Sequence, residues 1–154
     1  VGRYRNTAEL AFVHKGGNML SITGEKVGER HVVEAFAEAA RTSGVPLAGF
    51  AVSVVLEDPP RYVFGVEPRA PLDAEQRARV RDAAEAGLRS SNLEYAAKRD
   101  SLRLGPPELV VLERGAFERY RAARVAAGAP EAHVKPPHVI RDPAQLRALG
   151  VDAS

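Results

Sequence analysis

Cysteine and tryptophan are absent from the 154 residues, methionine occurs once, and lysine occurs only four times, at Lys15, Lys26, Lys98 and Lys135. Without cysteine, disulfides and thiolate chemistry are excluded. The four histidines, His14, His31, His133 and His138, share no ligand spacing with one another or with a carboxylate motif, so no metal centre is expected. No apolar run approaches the roughly 18–20 residues of a membrane-spanning helix. No charged-then-apolar leader opens the chain either, so a cytoplasmic location is expected. The first residues, VGRYRN, carry no initiator methionine, which suggests a fragment or a processed chain.

What is present fits one domain of ordinary size, large enough to bury a core. The net charge of +2 is mild. Most arginines alternate with Glu and Asp, as across residues 73–89, which describes solvated helix faces and makes a nucleic-acid partner unlikely on charge grounds. Against 18 arginines, the four lysines stand out. A compact, flexible ammonium does what a planar guanidinium does not, so each retained lysine is a candidate functional cation.

The stretch NMLSITGEKVGERHVVEAFAE, residues 18–38, organises the chain. Met19, Leu20 and Ile22 end a strand, Gly24 permits a sharp turn, and a helix follows. Within 30–40 the apolar residues Val32, Val33, Phe36, Ala37 and Ala40 recur at helical spacing and predict the buried stripe. The turn is expected to project Glu25 and Lys26 outward. A helix start beside an ammonium can form a phosphate site, although spacing alone favours a solvated turn.

Upstream, residues 8–15 read as a strand and 15–18 as a tight Gly-Gly turn. Downstream, 42–46 stop the helix, and 47–56 and 61–66 form a hairpin around Glu57-Asp58-Pro59-Pro60. Asp73 and Gln76 resemble a capping box for a helix whose buried face is Val80, Ala83, Ala84, Gly87 and Leu88. A short helix spans 92–101, a strand 108–113, and a last firm helix 116–127 with Phe117, Tyr120 and Val125 inward. The segment 128–140 is Pro-rich and irregular, and Asp142-Pro143 opens a short terminal helix. The predicted fold is α+β: helices on a mostly antiparallel sheet in the ferredoxin-like order βαββαβα.

The runs FVHKGGNMLSITGEK, LGPPELVVLERGAFERYR and GAPEAHVKPPH, with the spacing of Asn92 and Tyr95, occur in one order. Together they resemble the C-terminal domain of the auxin-responsive (Gretchen Hagen family) acyl-acid amido synthetases, members of the acyl-adenylate-forming superfamily. The resemblance runs from about residue 1 to residue 138. It implies an ATP-dependent ligase in which a carboxylic acid is adenylated, pyrophosphate is released, and the acyl group passes to the amine of an amino acid. A small C-terminal lid, here residues 19–154, would swing over a large N-terminal adenylation domain of the same chain. Residues 1–18 would lie by the hinge, with Lys15, Gly16 and Gly17 absorbing the movement.

By the same resemblance Lys135 in HVKPPH is the late catalytic lysine that reaches the α-phosphate during adenylation. Lys26 is the lysine that approaches the nucleotide in one of the two domain orientations. ATP with Mg²⁺ would be held mainly by the N-terminal domain, since no phosphate loop, adenine pocket or acid pocket is found here. The chain departs from the family pattern at Val27, where Thr usually caps a helix, at His133 in place of Gln, and at His138 where Arg is common. Asn92 and Tyr95 read as structural, with Tyr95 burying its ring and bonding through its hydroxyl. The alternative is a free-standing ferredoxin-like module that binds a ligand or RNA, although no strand carries the RNA-recognition aromatic pattern.

Overall fold

The hairpin expected around 57–60 forms the centre of the sheet in the computed structural model, which describes residues 19–142, 145 and 148–150. Strands β3 (Leu47–Val55) and β4 (Arg61–Pro68) pair antiparallel, with Val54 opposite Tyr62 and Phe50 opposite Val66. Strand β5 (Glu108–Val111) then adds to the other side of β4 in parallel, Phe64 facing Leu109. Two helices, α2 (Ala74–Ser91) and α3 (Leu93–Asp100), make the crossover that a parallel pair requires. From Tyr62 to Pro68 every residue of β4 is buried, because the strand is central and covered on both faces.

Side-chain alternation along the strands divides the interior in two. Val52, Tyr62, Phe64 and Val66 face a cluster built with α1 (Glu29–Ser43) and α2. Ala51, Val55 and Val63 face the opposite cluster, with Phe117 and Tyr120 of α4 (Ala116–Ala126), Ile140 and Leu149. The α+β class is as expected. The pairing is mostly antiparallel, also as expected, with β5 added in parallel, and a small antiparallel ladder, β1 (Met19–Leu20) with β2 (Val27–Gly28), precedes α1.

The buried stripe of α1 is Val32, Ala35, Phe36 and Ala39, while Val33 and Ala37 are exposed and Ala40 is half-buried. Both sets satisfy helical spacing, and the choice is made by two neighbours. Phe36 stacks on Phe50 at 4.9 Å and meets Phe64 edge-on at 5.4 Å. Ala35 lies against Gly87 of α2, where an added Cβ would sit 2.8 Å from the Ala35 Cα. Gly44, at φ +69°, closes α1 in the left-handed conformation.

Helix α2 starts with the expected reciprocal cap: Gln76 N–H donates to Asp73 Oδ1 at 2.7 Å and Asp73 N–H to Gln76 Oε1 at 2.9 Å. Helix α4 is capped from a distance, since the buried Glu67 of β4 accepts from Gly115 N–H and Phe117 N–H. Helices α2 and α3 are tied by the mostly buried pair Arg99–Glu85, with Arg99 also donating to the Leu104 carbonyl.

The Pro-rich segment is more ordered than expected. After a 3₁₀ turn (Glu131–His133), Val139 bridges Val52 in parallel. Val52 N–H donates to the His138 carbonyl and Ile140 N–H to the Val52 carbonyl, both at 2.8 Å. Ser53 Oγ adds a bond to the Ile140 carbonyl. The otherwise open edge of β3 is thereby covered. Beyond Asp142, Gln145 N–H reaches the Asp142 carbonyl and Leu149 N–H the Gln145 carbonyl, as the expected terminal helical turn requires.

Candidate functional site

Lys135 is exposed, on the loop between the 3₁₀ turn and the edge bridge. It lines a groove of about 290 Å³ together with Gly49, Phe50, Phe117, Pro136 and His138. The walls are built closely. The Phe117 ring lies over Gly49, where any Cβ would come within 2.3 Å of it. The His138 ring stacks on Phe50 at 4.5 Å, and its Nδ1 lies 3.1 Å from the Phe50 carbonyl. His138 is thus a packing residue of the groove wall, where the family pattern has an arginine. Among the described residues Lys135 has no ion-pair or hydrogen-bond partner, so its charge is free to meet an anion from outside.

Lys26 occupies the turn of the β1–β2 ladder at φ +49°, exposed and likewise without a side-chain partner among the described residues. Its turn leads into β2, and α1 begins only at Glu29. The Gly28 N–H at that helix start donates to His31 Nδ1 at 3.1 Å, and no side chain caps the N-terminus of α1 among the described residues. Val27 cannot be a cap either: it is fully buried and pairs with Leu20.

Glu25, expected to point outward with Lys26, is only 1% exposed. Its Oε1 accepts from Ile22 N–H at 2.8 Å and Tyr62 O–H at 2.5 Å, and its Oε2 from Thr23 N–H at 2.8 Å and Thr23 O–H at 2.9 Å. Burial first, and then the neighbouring Glu25 carboxyl, raise the Tyr62 hydroxyl well above its ordinary pKa, keeping it a donor. Asn92 is buried and, as expected, structural, with two roles. Its Oδ1 caps α3 by accepting from Tyr95 N–H, and its Nδ2 donates to the carbonyls of Glu25 at 2.8 Å and Lys26 at 3.2 Å. Tyr95 buries its ring against Tyr62, edge-on at 5.3 Å, but its hydroxyl has no partner among the described residues, contrary to expectation.

Lys26 and Lys135 are not gathered into one groove, and Lys15, Gly16 and Gly17 lie outside the described residues. A wider depression of about 510 Å³ is lined in part by Arg61, Arg77 and Arg81 and holds none of the expected site residues. Arg61 there is already paired with Glu57 and Glu108. No group of three His, Asp or Glu side chains able to hold a metal occurs among the described residues. Both sheet faces are packed under helices, with Tyr62 and Phe64 essentially inaccessible, so the sheet offers no aromatic platform for stacking RNA bases among the described residues.

These features define a small α+β domain that offers isolated cations on outward loops. The chain belongs to the GH3 family: the model of the GH3 family C-terminal domain matches residues 30–144. Its structure is similar to that of the GH3.15 acyl acid amido synthetase, with a TM-score of 0.75 and 22% identity, covering 85% of this chain and 24% of that one. It is also similar to AtGH3.15 acyl acid amido synthetase in complex with 2,4-DB, with a TM-score of 0.72 and 20% identity, covering 88% of this chain and 26% of that one. At these identities the likeness is one of fold, and the chain spans about a quarter of either relative. No curated protein sequence matches the chain.

Proposed function

We propose that this chain is the mobile C-terminal domain of an ATP-dependent acyl-acid amido synthetase, working over a large N-terminal adenylation domain of the same polypeptide. The observation that carries the reading is the family match across 30–144, supported by the exposed Lys135, unpartnered among the described residues and held between the 3₁₀ turn and two prolines. In the first half-reaction a substrate carboxylate oxygen attacks the α-phosphorus of ATP and pyrophosphate leaves. In the second, an amino-acid amine attacks the acyl carbonyl and AMP leaves.

The residues present fit a phosphoryl group in one respect: Lys135 and Lys26 offer ammonium donors with no carboxylate paired to them among the described residues. Negative charge builds on phosphoryl oxygens during adenylation, and a cation brought in by closure acts where water has been expelled. Lys135 would supply that charge, and Lys26 would approach the nucleotide in the other orientation. Pro136 and Pro137 limit the loop's freedom, so little further freedom is lost when Lys135 engages. Mg²⁺ and the purine would be bound by the N-terminal domain, and the hinge would include Lys15, Gly16 and Gly17.

Lys135→Ala in the full-length enzyme tests the reading. Acid-dependent ATP–pyrophosphate exchange should fall by about 100-fold or more, while transfer from a supplied acyl-adenylate to the amine persists. Two unaffected half-reactions would show that Lys135 has no such role.

A further inference from the structure

The Lys26 turn is held by buried polar side chains out of proportion to an ordinary surface turn. A solvent-facing left-handed position is occupied most easily by Gly or Asn, yet here it carries a lysine at φ +49°. Immediately before it, Glu25 is buried with no ion-pair partner among the described residues, and both its carboxyl oxygens are consumed by four donors, three from its own turn and one from Tyr62 of β4. From a position 66 residues further along, Asn92 sends its amide into the same turn and donates to the carbonyls of both Glu25 and Lys26. Capping α3 would need only the Asn92 oxygen, as Ser or Asp would supply; the amide donor is what the turn uses.

We propose that Glu25 and Asn92 are positioning residues for Lys26, clamping its backbone from two sides so that the root of its side chain stands at a fixed point of the face presented to the nucleotide. This rests on the reading of Lys26 given above. Glu25 anchors the turn to the sheet through Tyr62, and Asn92 anchors it to the α2–α3 junction. The side chain is left free to reach outward while its root is fixed. Misplacing such a root by about an ångström is enough to cost on the order of 100-fold in a positioned reaction.

The test uses the full-length enzyme with Asn92→Ser, Lys26→Ala and the double variant. Serine keeps an oxygen for the Tyr95 N–H and is too short to clamp the turn. Hydrogen exchange over residues 22–28 should quicken in Asn92→Ser while the rest of the domain is unchanged. The half-reaction that Lys26→Ala impairs should fall about 10- to 100-fold in kcat. In the Lys26→Ala background the same serine substitution should cost nothing further, because the clamp acts only through Lys26. Equal losses with and without Lys26, or unaltered exchange over 22–28, would overturn the proposal. A rate lost in Lys26→Ala but retained in Asn92→Ser overturns the positioning alone, whereas full activity in Lys26→Ala overturns the underlying reading of Lys26. Should Asn92→Ser fail to fold, Tyr62→Phe removes one donor from Glu25 with almost no change of shape, and the same non-additivity with Lys26→Ala is expected.

Discussion

At the scale of single residues, the side chains around Glu25 show how a polar group is tolerated inside this fold. Glu25 has every lone pair it needs answered, whereas the hydroxyl of the neighbouring Tyr95 is buried with no partner among the described residues. A buried unmet hydroxyl costs about 1–3 kcal/mol. Tyr95→Phe should therefore raise the unfolding free energy by about 1 kcal/mol at neutral pH, read from urea titration. Burial chiefly also raises the Tyr95 hydroxyl above the ordinary value of 10.0, as it does for Tyr62. With the folded-state value raised, the stabilisation is complete below about pH 10 and is lost as pH climbs above it, because the unfolded chain ionises first. Each such tyrosine adds about −1.4 kcal/mol per pH unit to that decline, and Tyr95→Phe should remove one share of it. Lysine scarcity marked Lys26 and Lys135 in the sequence, and both are exposed. The burial of Glu25 was not legible, because a Gly-Glu-Lys turn reads as solvated until Tyr62, 37 residues away, is known to lie behind it.

At the scale of elements, periodicity and caps were enough for α2, α3, α4 and the β3–β4 hairpin, and Asp73 with Gln76 forms the box their spacing suggested. The face of α1 was harder. Small residues at 35, 37, 39 and 40 leave the helix without a unique apolar stripe, and the seat of Ala35 on Gly87 decides it. Glycine within a helix costs about 1 kcal/mol against alanine, so Gly87→Ala would stabilise an isolated α2. In the folded domain its Cβ would press on Ala35 backbone atoms at 2.8 Å, and such overpacking costs about 1–3 kcal/mol. The net expectation is a less stable protein, read as a lowered urea midpoint with an unchanged denaturant slope. The edge pairing at Val139 escaped the sequence because prolines at 136 and 137 disguise the short extended piece that follows them.

For the whole molecule, the order of elements gave the α+β class but not the parallel addition of β5, which depends on α2 and α3 crossing one face of the sheet. With α1 and α2 on one face and α4 on the other, the sheet is covered, and both candidate lysines stand on loops and turns. The most direct measurement is amine-reactive labelling of Lys135 in the full-length enzyme, scored against Lys98 by mass spectrometry, with and without the acid substrate and a non-hydrolysable ATP analogue. Delivery of the cation by closure predicts ready labelling of Lys135 in the free enzyme and several-fold protection once both ligands are bound. Identical labelling in the two states, with exchange activity intact, would contradict it.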